Sequence, residues 1–432
     1  MFLLDRWRRL TEVGTVIPCA EMRLDARDRE APIVIGRGEI RVVSPATYRY
    51  TVRGIPDDVG HTLRCLNRQS ENPYDGLMRF RLNAVDGEGK ELNAGWTIPK
   101  VQPGDRSADW VFTGDVESLW IDDLPAAEVG TEVLYLLPQQ HRARLLLRRF
   151  ISSADGCGSP KLEHRMEVLS TQVTFRLDDE ADTLSISAKA SEALPQTHTE
   201  NWLGEPLRIM FGQLVFPRMV ARANPDRTVI SIRPTRAWHR ESDWAALWDG
   251  PTAVFDKDGF WRTYAALLAF VSGARDDEGS PNFEANKLTR LYEEVIQASR
   301  GSRWMWALTF ASSVEGLVRM LVPRGTPRAN ANTAGIADIS RHIDAWTGSD
   351  PQLKSAAKAA VARTAETSAI QALRDLRDNG VVSKDQVAAW NTIRNQVMHG
   401  SLISPYSSEE DDKLLLDLAG LLHALTRRLI LP

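Results

Sequence analysis

The segment Trp390-Asn391-Thr392-Ile393-Arg394-Asn395-Gln396-Val397-Met398-His399-Gly400 sets a guanidinium and an imidazole five residues apart. An imidazole with an intrinsic pKa near ~6.5 takes or gives a proton at neutral pH, and a guanidinium holds two phosphate oxygens at once. At about 100° per residue, His399 lies ~40° around a helix from Asn395, so these two share a face, whereas Arg394 lies ~140° from His399 and flanks it. The long arginine side chain can still reach a phosphate held near the imidazole. Glu315 is set in the apolar run Leu308-Thr-Phe-Ala-Ser-Ser-Val-Glu315-Gly-Leu317, and a carboxylate buried there needs a partner. Arg394 and His399, with Asn395 on the histidine's face, are therefore the candidates for chemistry, and Glu315 is a carboxylate in want of a partner. A plainer account also fits them: a histidine before a C-capping glycine is favourable at the negative end of a helix dipole, and Arg394 then serves as an ordinary ion-pair residue.

The helix that must carry these groups has both ends written in the sequence. Ser383-x-x-Gln386 is a capping box, and Gly400 is a left-handed stop past the last turn. Val387, Trp390, Ile393 and Val397 form the opposite, buried face. From about Gly259 onward apolar residues recur at helical spacing, which predicts helices over Phe260 to Val271, Phe283 to Ser299, Ser302 to Leu321, Leu353 to Arg377, Ser383 to Met398 and Ser408 to Leu429. Pro323, Gly325 and Pro327, with the stretch Asn330 to Gly335, predict a loop. Before about Arg240 the runs are short, alternating or β-branched: Ile33 to Ile35, Glu39 to Val43, Tyr48 to Val52, Leu77 to Leu82, Gln172 to Leu177 and Thr228 to Ile232, with Asp86 to Gly89 as a turn. The stretch Thr131 to Ile151 can hold a helix inside that half. The fold class is α+β: a β-rich domain over 1–240, a connector over 241–258 packed through Trp244 and Trp248, and an all-α bundle over 259–432.

Composition narrows the function. The chain has 432 residues, 43% hydrophobic and 25% charged, enough for about two or three domains at ~150 residues each. Its net charge of -4 supplies no global field for nucleic acid, and residues 257–432 hold 21 Lys/Arg against 20 Asp/Glu, so any such binding is local. Cys19, Cys65 and Cys157 are odd in number and far apart, which argues against a disulfide framework and a thiolate zinc site. A reducing cytoplasm is the expected location, because the first residues put charges where a signal peptide needs an apolar stretch and no run approaches the ~20 apolar residues of a membrane span. P-loop, GxSxG, HExxH, EF-hand and GxGxxG patterns are missing, so no cofactor is expected. Glu293-Glu294 reads as a solvated helix face, and Cys157 with His164 as a solvated turn rather than a metal site.

The run from Arg394 to His399, with four intervening residues and a polar residue after the arginine, resembles the motif of HEPN domains. Within them, Trp390 before the motif, Gly400 after it and Glu315-Gly-Leu317 on an earlier helix resemble the ApeA-like group of bacterial defence proteins, over roughly residues 260–432. The resemblance implies a metal-independent endoribonuclease, active in anti-phage defence, that cuts tRNA, mRNA or rRNA by 2′-OH attack to leave a cyclic phosphate. It implies that Asn395 orients the histidine or a phosphate oxygen and that Glu315 buttresses Arg394 or the helix end. One histidine per chain is short of separate acid and base roles, so a homodimer or higher oligomer with a composite site is expected. The C-terminal helix, apolar at Leu414, Leu415, Leu418, Leu421, Leu422, Leu425 and Leu429, either walls that dimer or, as is commoner, packs in its own bundle. The run from Glu200 to Arg218 loosely resembles the end of the domain found before ApeA-like HEPN domains, which implies sensing of a phage-derived activator. The alternative for that half is a structural β domain with Trp202, Phe211 and Phe216 in its core. From other classes, a non-catalytic sensor or scaffold and a zinc hydrolase are the competing expectations.

Overall fold

The computed structural model describes residues 3–26, 31–103, 109–137, 142–151, 161–235, 243–248, 255–281, 286–328, 331–348, 350–398, 406 and 408–431. It is an α+β chain. Its strands are β1 Val16–Ala26, β2 Pro32–Ser44, β3 Thr47–Gly54, β4 Phe80–Asp86, β5 Glu91–Thr97, β6 Lys100–Gln102, β7 Trp110–Val116, β8 Leu119–Asp123, β9 Gly130–Leu136, β10 Lys161–Val168, β11 Thr171–Asp178, β12 Thr183–Lys189, β13 Met219–Ala223 and β14 Thr228–Ile232. All belong to one antiparallel sheet, in the order β10-β11-β12-β9-β13-β14-β8-β5-β4-β1-β2-β3-β7-β6. Its helices are α1 Val59–Glu71, α2 Arg142–Ile151, α3 Gln196–Trp202, α4 Glu205–Phe211, α5 Lys257–Ser272, α6 Lys287–Ala298, α7 Arg303–Leu321, α8 Thr333–Asp344, α9 Pro351–Arg363, α10 Ala369–Asp378, α11 Lys384–Met398 and α12 Glu409–Ile430. Among the described residues no helix is long and apolar enough to cross a membrane.

Several local expectations are corrected. Ile33 to Ile35 and Glu39 to Val43 are one strand, β2, because Gly36 and Gly38 are not turn residues. A Cβ at either would collide with the carbonyl oxygen of Arg53 or Thr51 on β3, so glycine here permits close strand approach. Among its described residues the half read as mostly β also holds four helices. The buried side of α1 is His61, Thr62, Cys65 and Gln69, too polar to show an apolar stripe, and α3 and α4 have seven residues each. Thr131 to Ile151 divides into β9 and α2, and Leu77 and Met78 lie in a 3-10 turn before β4 begins at Phe80.

In the second half, Leu353 to Arg377 is two helices. The backbone between α9 and α10 turns aside to pair with the incoming segment, through Arg328 N to Ala365 O at 2.8 Å and Thr367 N to Thr326 O at 2.9 Å. Part of the expected loop before Gly335 begins α8, whose N-cap Asn332 accepts from Gly335 N at 2.9 Å. The α8–α9 hairpin stands apart: no residue of either helix is buried, Ile336, Ile343 and Val361 are half-buried, and Ile339 and Leu353 are more than half exposed.

One apolar interior lies under β1 to β5, β7, β8 and the start of the chain. A second runs without a break from Val133, Phe175 and Ile186 on the sheet through Phe260 and Tyr264 of α5 to Leu418 and Leu422 of α12. The segment between the halves is pinned at both sides. Leu247 N and Trp248 N donate 3.0 Å bonds to Ile209 O and Met210 O, which α4 leaves unanswered at its end, and Arg427 of α12 donates to Leu247 O at 3.2 Å. Trp248 meets Phe260 edge-on at 5.6 Å, and Trp244 stacks on Trp306 at 5.2 Å. Glu293 is not solvated as expected: it pairs with buried Arg208 at 2.7 Å. Phe216 is not core either, being 48% exposed beneath the Arg208 guanidinium. Trp202 and Phe211 are buried.

A 3-10 helix over Leu3–Thr11 docks on the sheet by ions as well as apolar contact. Glu132 of β9 accepts from Leu3 N at 2.6 Å and Leu4 N at 3.4 Å, Arg176 donates to Asp5 at 2.9 Å, and Arg8 pairs with Asp178 at 2.6 Å. Burial pushes the Glu132 carboxyl up to about 7 from its ordinary value of 4.5. The folded state therefore binds this proton more tightly than the unfolded chain. The associated stabilisation is complete below about pH 4.5 and is lost as pH rises through about 7, amounting to at most about 3 kcal/mol. We expect Glu132→Gln to gain on the parent in urea midpoint progressively from pH 5 to pH 8, and a constant offset across that range would refute the assignment.

Candidate active site

Helix α11 is built as its sequence prescribes. Ser383 Oγ accepts from Gln386 N at 3.1 Å while Gln386 Oε1 accepts from Ser383 N at 2.8 Å, which closes the capping box. Val387, Trp390 and Ile393 are buried against α7 and α12, and the side chain of Val397 lies outside the described residues. Trp390 Nε1 donates to Ala311 O of α7 at 3.0 Å, so a tryptophan only 2% exposed fixes both the depth and the rotation of α11. Helix α12 packs inside the chain's own bundle, with Leu415, Leu418, Leu421, Leu422 and Leu425 buried. The acidic first turn of α12 lies where the helix dipole favours it, and Asp412 also pairs with Arg303 of α7 at 2.5 Å.

These helices bring together two of the four candidate residues. Arg394 Nε donates to Glu315 Oε2 of α7 at 3.3 Å, and the guanidinium carbon lies 5.5 Å from the Trp390 ring centroid. The Arg394 side chain is 42% exposed and that of Glu315 35% exposed. Among the described residues neither Nη of Arg394 has a hydrogen-bond partner, so the guanidinium is anchored through Nε alone. Asn395 is exposed, and its side chain makes no hydrogen bond among the described residues. His399 and Gly400 lie outside the described residues, as does Cys157.

Magnitudes decide what the Arg394–Glu315 pair does. A half-exposed pair at 3.3 Å contributes roughly 0.2–1 kcal/mol, small beside the burial of Trp390. Its effect is on orientation: Glu315 sets one edge of the guanidinium and the Trp390 ring supports a face. The role of Trp390 beneath Arg394 went unread in the sequence, although the i,i+4 spacing from Trp390 to Arg394 signals it. The geometry offers a positioned, half-exposed cation whose Nη donors are uncommitted among the described residues, suited to an oxyanion or phosphate.

Other chemistry-bearing groups lie elsewhere. His164 stacks on Trp261 at 4.0 Å, and burial lowers its pKa, so it is a half-buried strand residue in an aromatic contact rather than a solvated turn residue. Among the described residues no three His, Cys, Asp or Glu side chains are gathered where they could hold a metal ion.

No family model, no curated protein and no solved structure matches the chain.

Because Trp390 carries the placement of α11, Trp390→Ala should lower unfolding free energy by about 3–5 kcal/mol. Glu315→Gln should change it by less than about 1 kcal/mol. Urea unfolding of the two variants checks this, and equal losses would show that the pair, not the tryptophan, holds the helix.

Proposed function

We propose that the chain is a metal-independent endoribonuclease of the HEPN type, acting in the cytoplasm in anti-phage defence, with its N-terminal half sensing or regulating. The observation that carries the proposal is the Arg394 guanidinium held at the end of α11 by Glu315 and Trp390, with its outer donors uncommitted among the described residues. That arrangement is costly to explain as stabilisation and simple to explain as a preset oxyanion clamp. His399 follows in sequence one residue past the last residue of α11.

In this reading His399 takes the proton from a ribose 2′-OH, whose oxygen attacks the adjacent phosphorus. Arg394 holds the non-bridging oxygens as charge builds on them, and the 5′-oxygen leaves with a proton to give a 2′,3′-cyclic phosphate. A second imidazole must supply that proton, and a second copy of the chain brings one if two sites face each other across a two-fold axis. Glu315 is a positioning residue that acts through Arg394.

Arg394→Ala and His399→Ala should each slow RNA cleavage by about 100-fold or more, while Glu315→Gln, with the arginine less fixed, should lose about tenfold. Cleavage of a labelled RNA, mapping of cyclic phosphate ends and infection-triggered growth arrest read the effect at matched protein levels. If Arg394→Ala and His399→Ala both keep parental cleavage and arrest, the chain is instead a non-catalytic sensor or scaffold.

A further inference from the structure

The outer face of β2 and β3 carries a charge arrangement that stability does not explain. In the ladder Arg37 stands directly opposite Arg53, and Arg41 directly opposite Arg49. All four are exposed, and like charges facing each other across an antiparallel pair destabilise it. Arg41 and Arg49 are relieved by Glu39 and Asp115, each at 2.9 Å. Arg37 and Arg53 have no carboxylate partner among the described residues, and they line a depression of about 340 Å³ with Glu39 and Thr51. The face continues into a second depression of about 490 Å³, where Arg49, Arg79, Lys100 and the indole of Trp96 stand with Asp115 and Glu117, and Arg79 is paired with Glu117 at 2.5 Å. Among the described residues six cations face the three carboxylates Glu39, Asp115 and Glu117 along this strip, in a chain of net charge -4.

We propose that the exposed face of β2, β3 and β7 is a platform for single-stranded RNA, gripping successive phosphates at the opposed arginine pairs and stacking a base on Trp96. Opposed strand residues lie about 5 Å apart, so two guanidiniums converge on one oxyanion, which at Arg37 and Arg53 also removes their mutual repulsion. Four residues of extended strand put the second pair about 13 Å further along, a repeat that a flexible polyanion can meet. A basic strip beside an aromatic side chain is the combination that holds unpaired bases, and a sheet surface has no ridge to enter a duplex groove. The platform goes beyond the cleavage chemistry and does not need it, since a chain that binds RNA here without cutting would keep the one and lose the other.

The test uses the full His399→Ala chain and the anisotropy of a fluorescein-labelled single-stranded RNA of about 20 nucleotides. Arg37→Glu should weaken binding by about tenfold or more and at the same time raise Tm, because it turns a repelling cross-strand pair into an attracting one. A merely structural arginine would not give that opposition of effects. Arg37→Gln with Arg53→Gln, which removes the grip on one phosphate, should lower the slope of log affinity against log salt by about 0.7, and Arg227→Gln, which breaks an exposed pair with Asp122 outside the strip, should leave binding unchanged. Parental binding by Arg37→Glu, no RNA binding by the starting chain, or tighter binding to vesicles of phosphatidylglycerol and phosphatidylcholine than to the RNA would each overturn the proposal.

Discussion

Two amides, Leu247 N and Trp248 N, answer carbonyls that α4 cannot satisfy from within, and the rest of the molecule depends on that splice. A helix of seven residues has few internal bonds of its own, and α4 is buried over its whole length. It persists because the segment between the halves closes its end, while Glu205 at its start accepts from Asn286 N and Thr289 Oγ1 across to α6. Around these polar ties the apolar interior passes from sheet to bundle without a gap. Helices α7, α11 and α12 therefore hold their places relative to the sheet through packing and satisfied backbone groups, not through surface ion pairs.

That dependence explains what the sequence discloses. Elements that bury one face and expose the other are legible, as with α7 and α11, whose caps at Ser302 and Ser383 close as their residue types require. Elements with no exposed side, or no apolar one, escape detection. Helix α4 has no stripe because all of it is inside, and α1 has none because its buried side carries His61 and Gln69. Gly36 and Gly38 look like punctuation in one dimension, and only the neighbouring carbonyls of β3 reveal them as clearance. The break between α9 and α10 is invisible for the same reason: its cause, pairing with Thr326 and Arg328, lies far away in sequence.

At the candidate site the local geometry was legible and the long-range geometry was half legible. Helical phase alone separates Arg394 from Asn395, and the structure turns the first toward α7 and leaves the second in solvent. The partnership with Glu315 spans 79 residues, beyond the reach of periodicity, and was readable only through the HEPN resemblance. The indole beneath the guanidinium went unread, although Trp390 and Arg394 are one helical turn apart and that spacing alone signals it.

The hairpin of α8 and α9 joins the bundle through a neck whose two sides are tied to each other by Arg328 N to Ala365 O and Thr367 N to Thr326 O. Everything beyond that knot is structurally a detour, because its ends meet and no residue within its helices belongs to the shared interior. Evolution can lengthen, trim or replace such a loop of chain without renegotiating the architecture beneath it, and a protein engineer has there a natural socket for a grafted module.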